Sequence, residues 1–317
     1  MLHIFKSNLV GKEKLFDLLA ISHATGYPVL FEGEKGTAKT QAAVDYMSGF
    51  EDSKIFKLEL TEGTSISSIR GYLDINALVN EKIERYVSDI AECQAILINE
   101  VDKANSAIRN AMLGLMAEKK LMYGKDVIDC NYKLFIGTCN HINTDEEETP
   151  FWDRFILKYK VNRLSISELF SSVYLTEQTY VYDIPESGLE EPIDDKVFMD
   201  FVNCMYNYMS DRSIFRSIRI INAIKGIFKI DDASACFIAA GYIDSTAASL
   251  FYSNSSFDKK PEDVIKRIDI MYDGTGSSID AIRKYISVIE TTNALKAEEL
   301  NNVKIYLKSL KSKIINV

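Results

Sequence analysis

A chain of 317 residues, 47% hydrophobic and 26% charged, has the balance of a globular protein with room for two domains. A formal charge of −9 argues against broad nucleic-acid affinity, which rests on lysine and arginine neutralising phosphates, and favours protein partners. Five scattered cysteines without a C-x-x-C pair, and three scattered histidines, argue against a disulfide framework or a zinc site.

In chain order, the N-terminal stretch MLHIFKSNLVGKEK lacks the apolar centre and cleavage site of a signal peptide. No apolar run approaches the roughly 20 residues of a membrane helix. A cytoplasmic protein with reduced, buried thiols and no membrane insertion is expected. Residues 1–162 alternate short apolar runs with helix-length segments. Tyr27–Glu32, Lys54–Leu60, Gln94–Asn99 and Lys133–Thr138 are predicted strands, and Ala38–Ser48 and Ser106–Lys119 predicted helices. That rhythm belongs to an open α/β fold with a mainly parallel sheet. From about residue 163 the pattern becomes helical: Asp195–Met209, Ser213–Lys229, Ala233–Leu250, Pro261–Tyr272 and Ile279–Leu310 read as amphipathic helices separated by Gly, Ser and Asp clusters.

Between the first strand and first helix lies Gly33-Glu34-Lys35-Gly36-Thr37-Ala38-Lys39-Thr40. It matches the phosphate-loop pattern G-x-x-x-x-G-K-[ST] except that Ala38 stands where the second glycine belongs. Backbone N–H groups at a helix N-terminus attract phosphate oxygens, Lys39 can reach the β- and γ-phosphates, and the Thr40 hydroxyl suits Mg²⁺. A methyl group at 38 is tolerated if φ is negative there, as expected of a first helical turn. Downstream, AILINE carries Asn99 and Glu100 to a strand end, where a carboxylate can polarise an attacking water. LFIGTCN then runs a buried strand out to Asn140, beside the γ-phosphate if its strand neighbours the first.

These three elements, with Pro150–Phe155 (PFWDRF) and Met209–Ile220 (MSDRSIFRSIRI), resemble the motifs of AAA+ ATPases, within them the MoxR group, and most closely its RavA-type branch. The resemblance spans residues 10 to about 230. It implies a P-loop AAA+ α/β core at 1–162 and an all-helical lid at 163–255, leaving a C-terminal helical extension at 256–317. It implies ATP and Mg²⁺ as cofactors, with Gly33, Glu34, Lys35, Gly36, Thr37, Ala38, Lys39 and Thr40 as the nucleotide cradle and Val10 and Gly11 lining the adenine pocket. Thr40 and Asn99 take the metal positions. Glu100 becomes the catalytic glutamate, Asn140 helps place the water, Arg154 matches a finger reaching the neighbouring subunit's nucleotide, and Arg212 matches sensor 2, with Arg216 as substitute. A homo-oligomeric, hexameric ring follows, acting on protein clients and working with a separate von Willebrand factor A protein. Thr61–Ile75 resembles the group's helical insert, and Lys119–Lys133 reads as a hairpin that can offer Tyr123 and Lys125 to a substrate.

Asn99 departs from the group's pattern, in which this position is Asp. A carboxamide keeps an oxygen acceptor but removes a charge, so weaker Mg²⁺ handling and slower turnover are expected, with nucleotide binding retained. Two functions stand beside the ring-forming remodelling ATPase: a nucleotide-gated oligomeric scaffold that hydrolyses almost nothing, and a DNA-acting AAA+ motor, which the acidic balance disfavours. The Ile, Lys, Asn and Tyr bias points to an AT-rich bacterial or phage genome.

Overall fold

The apolar runs of the first half become the strands of one parallel sheet. A computed structural model describes residues 1–9, 11–73, 85–123, 126–142, 149–163, 177–185, 192–243, 247–248, 250–251, 260–271, 276–291 and 295–315. They fall into two compact units, Met1–Tyr182 and Asp183–Val317.

The first unit runs β1 (Leu2–Ser7), α1 (Glu13–Thr25), β2 (Val29–Glu32), α2 (Lys39–Met47), β3 (Ile55–Glu59), β4 (Gly71–Leu73), β5 (Arg85–Val87), β6 (Ala95–Asn99), α3 (Ser106–Glu118), β7 (Lys120–Tyr123), β8 (Asp126–Asp129), β9 (Leu134–Cys139), β10 (Leu157–Lys160) and β11 (Gln178–Asp183), with short helical turns between. Five of these strands form the sheet, in the order β10-β2-β9-β6-β3, every pair parallel. Val29–Phe31, Ala95–Ile98 and Leu134–Cys139 are buried, which is why they read as continuous apolar runs and do not alternate. Gly137 is small for a packing reason: a Cβ there would lie 2.9 Å from the Phe155 ring and 3.0 Å from Leu30. Helix α1 ends on Gly26 in the left-handed conformation, its N–H donating to Ser22 O at 2.7 Å. Helix α3 begins where the Asn105 side chain accepts from the Ile108 N–H at 3.0 Å.

Some elements differ from expectation. β1 and β11 form a separate two-stranded sheet, so a strand lies in the stretch after residue 163, where the sequence pattern predicts helix. Among the described residues of Thr61–Ile75 the helical part is one turn, Ser67–Arg70; Gly71, with φ +87, ends it and starts β4, which pairs antiparallel with β5. Lys119–Lys133 does hold a hairpin, β7 against β8, while Lys125 lies outside the described residues.

The second unit is helical beyond the end of β11: α4 (Asp195–Met205), α5 (Asp211–Phe228), α6 (Asp232–Ile243), α7 (Pro261–Met271), α8 (Gly276–Thr291) and α9 (Ala297–Ile315). Helix α6 is buried almost throughout, and at Gly241 a Cβ would meet Val288 of α8 at 2.8 Å. The single helix expected over Ile279–Leu310 is two, α8 and α9. Its break has a local cause, since the Lys296 N–H is taken by the Glu299 carboxylate at 2.8 Å, a capping contact that starts a new helix. No helix among the described residues is long and apolar enough to cross a membrane.

Candidate nucleotide-binding site

Because β9 lies between β2 and β6, the carboxyl ends of these three strands bring the loop at 33–40, the pair Asn99–Glu100, and Asn140 to one edge of the sheet. Ligands of open α/β sheets bind at that edge. The loop opens under tight constraint. Gly33 donates its N–H to Cys139 O at 3.2 Å, and a Cβ on it would fall 2.5 Å from Val161 O. With φ at +155 as well, no other residue fits. Gly36 turns the chain at φ +80, and the Thr37 hydroxyl donates back to Glu34 O at 2.8 Å. Lys39 is only 8% exposed. Its ammonium donates to the carbonyls of Gly33 at 2.5 Å and Glu34 at 2.9 Å, and burial lowers its pKa. Glu34, Lys35 and Gly36 face solvent, Glu34 in an ion pair with Arg163 at 2.6 Å.

Ala38 overturns the expectation of a negative φ. It stands at φ +66, ψ 19, in the left-handed region, immediately before α2. The second glycine of the usual pattern is thus a conformational requirement, and this chain meets it with an alanine under strain.

The Asn99 side chain binds the loop to the neighbouring strand. Its Oδ1 accepts from the Thr40 hydroxyl at 3.2 Å and from the Thr138 hydroxyl at 2.9 Å. Glu100 follows at φ +55. Four non-glycine residues have positive φ among those described, and two of them, Lys119 and Lys229, are ordinary helix C-caps. The other two, Ala38 and Glu100, each stand just before a helix at the strand-end edge. Such outliers persist where the surroundings impose them and concentrate at functional sites. The Glu100 carboxylate pairs with Lys103, and this hydrogen bond with its charge holds Glu100 below the usual carboxylate range. Asp102 accepts the Asn140 N–H on Oδ2 at 3.4 Å, while its Oδ1 is buried without a hydrogen-bond partner among the described residues.

Not every predicted site residue meets here. Gly11 is left-handed, φ +66, next to Lys12, whose ammonium donates to Asn162 O at 2.9 Å; Val10 lies outside the described residues. Arg154 is half-buried, and its backbone N–H donates to Phe151 O at 3.2 Å. Arg212 belongs to the second unit, exposed in the first turn of α5, with Arg216 half-buried one turn on. Thr138, Asp102 and Lys103 were not singled out from sequence, although each lies inside a motif that was. The signal was in plain view, two residues before Asn140 and two and three after Glu100.

Residues 1–181 match the family described as the MoxR domain in the MoxR-vWA-beta-propeller ternary systems. The chain belongs to the MoxR family. The MoxR domain here has the mixed α/β fold and parallel sheet described above. Among curated proteins, this MoxR chain is 26% identical over 165 residues to a structural protein of Acidianus two-tailed virus, a match covering 50% of this chain and 26% of that one. It is 24% identical over 176 residues to an uncharacterized protein of Methanocaldococcus jannaschii, covering 55% and 47% respectively. It thus spans less than half the length of either relative. A crystal structure of a protein from Cytophaga hutchinsonii, taken to be an ATPase, aligns over 80% of this chain and 79% of that one, with a TM-score of 0.46 and 17% identity.

The donor set at the edge suits a nucleotide with its metal. The Thr40 hydroxyl, the Asn99 carbonyl oxygen and the unpartnered Asp102 Oδ1 are hard oxygen donors of the kind Mg²⁺ prefers, and Lys35 and Lys39 carry the positive charge that phosphates need.

Proposed function

We propose that this MoxR chain binds ATP with Mg²⁺ on the loop at 33–40 and hydrolyses it. The observation that carries this reading is the pair of hydrogen bonds joining Thr40 and Thr138 through Asn99 Oδ1, which fixes loop and strand ends as one unit beside the Lys39 ammonium. Lys39 would hold the β- and γ-phosphates, and Thr40 with Asn99 would hold the hydrated Mg²⁺. The ion, when bound, neutralises charge developing on the transferring phosphoryl group. Glu100, kept ionised by Lys103, takes a proton from the attacking water, and Asn140 orients that water.

We assign Arg154 to the nucleotide of a neighbouring subunit and Arg212 to sensor 2, within a homo-oligomeric, hexameric ring. Splitting a site between subunits makes hydrolysis depend on assembly, and an arginine supplied in trans is worth on the order of 10³–10⁵ in rate. Residues 163–255 would form the lid and 256–317 a helical extension. The ring would remodel protein clients alongside a separate von Willebrand factor A protein. The family's description within MoxR-vWA-beta-propeller systems supports that partner, while the narrower likeness to the RavA-type branch rests on the motif residues alone.

Phosphate release tests the reading. Slow, Mg²⁺-dependent release that disappears in Glu100→Gln, with ATP binding retained, is expected. Turnover unchanged by that substitution would remove Glu100 from its role. Asn99 favours a second reading, a nucleotide-gated scaffold, because the neutral side chain gives the metal no charge. ATP-dependent assembly without any phosphate release would select it.

A further inference from the structure

A carboxamide at 99 raises the question of where the negative charge facing the metal comes from. Protein sites for Mg²⁺ commonly supply one or two carboxylates beside the substrate phosphates. Two carboxylates stand near Asn99. Glu100 is half-buried and its carboxylate is already paired with the Lys103 ammonium. Asp102 is placed differently. One oxygen accepts the Asn140 N–H, which anchors the carboxylate against the end of β9. The other is fully buried and has no donor among the described residues. Buried charged oxygens are costly to leave without a donor, so such an atom is matched by a donor from outside the described side chains. Asp102 and Glu100 both stand near enough to the Lys39 ammonium to favour its charged form against the cost of burial.

On the reading that this edge binds MgATP, we propose that Asp102 is a positioning residue that supplies the anionic oxygen for the hydrated Mg²⁺ of the bound nucleotide, the charge that Asn99 lacks. The two residues divide one task. Asn99 ties Thr40 to Thr138 through a neutral oxygen, and Asp102, on the helical turn that follows, carries the charge.

The test reads metal dependence, separately from turnover. Binding of a fluorescent ATP analogue is titrated in EDTA and then against MgCl₂, in the wild-type chain, in Asp102→Asn, and in Asp102→Asn combined with Asn99→Asp. Asparagine at 102 keeps the acceptor for the Asn140 N–H, so a purely structural role would be preserved. Loss of a partner outside the inner coordination shell typically weakens a metal ~10–100-fold, so Asp102→Asn is expected to raise the half-saturating Mg²⁺ by about tenfold or more. Affinity in EDTA should stay unchanged, and the combined variant should recover most of the loss. An unshifted Mg²⁺ midpoint in Asp102→Asn overturns the assignment of Asp102 while leaving nucleotide binding in place. Absence of nucleotide binding by the wild-type chain overturns both readings. If Asp102→Asn does not fold, Asn99→Asp alone decides. With a carboxylate already present, its gain in Mg²⁺ affinity should stay below ~10-fold, and a gain of ~10-fold or more would overturn the proposal.

Discussion

Ala38→Gly should stabilise the first unit. The alanine stands at φ +66, ψ 19, where its Cβ crowds the following carbonyl, at a cost of about 1–2 kcal/mol to a residue with a side chain. Glycine removes that cost but gives the unfolded chain extra freedom worth about 0.5–1 kcal/mol. The net expectation is a gain of about 0.5–1 kcal/mol, or roughly 1–4 °C in the melting temperature of a unit of this size. The chain's one tryptophan, Trp152, is 3% exposed in that unit, so its fluorescence reports this transition. Denaturation midpoints for wild type and Ala38→Gly, at unchanged slope, give the difference directly. A lower midpoint in the glycine variant would refute the assignment of strain, because only a relaxed, negative φ at 38 makes alanine the better residue.

Gly33→Ala should act in the opposite direction: its new Cβ would sit 2.5 Å from a backbone carbonyl, Val161 O, which has little room to yield. A loss of about 1–3 kcal/mol in the same tryptophan assay, with weakened ATP binding, is expected. Lys103→Met should move the acid limb of the pH–rate profile. Lys103 holds the Glu100 pKa down, so activity that needs the carboxylate is present above that pKa and lost as pH falls through it. Removing Lys103 raises the Glu100 pKa, and the acid limb should shift to higher pH; an unmoved limb would separate Glu100 from the rate.

The sheet was legible because its strands are buried on both faces, so VLF, AILI and LFIGTC announce themselves as apolar runs. β1 was not, since its pattern is mixed: Phe5 is buried and Lys6 exposed, but Leu2 and Ile4 face outward at 63% and 51% exposure while His3 is buried against Tyr46, its ring nitrogen bonded to Tyr46 O. A rule that sends apolar residues inward conflicts with two of its three apolar positions. The motifs gave the residues at the carboxyl edge, but sequence spacing could not show that Asn99 binds two threonines at once or that the Asp102 carboxylate turns back onto β9. Nor could it show the backbone state of Ala38, which the helix pattern following it suggested was ordinary. The break between α8 and α9 was hidden for a similar reason, because the side chain of Glu299 does what a glycine or proline would have advertised.

Calorimetric titration of ATP, with Mg²⁺ present, into the wild-type chain and into Lys39→Ala tests the assignment of the loop most directly. Lys39 is the buried cation beneath the loop, held by the carbonyls of Gly33 and Glu34. Saturable binding by the wild type that is lost in Lys39→Ala is expected. Equal binding by both chains, or none by either, would contradict a nucleotide site at this edge of the sheet.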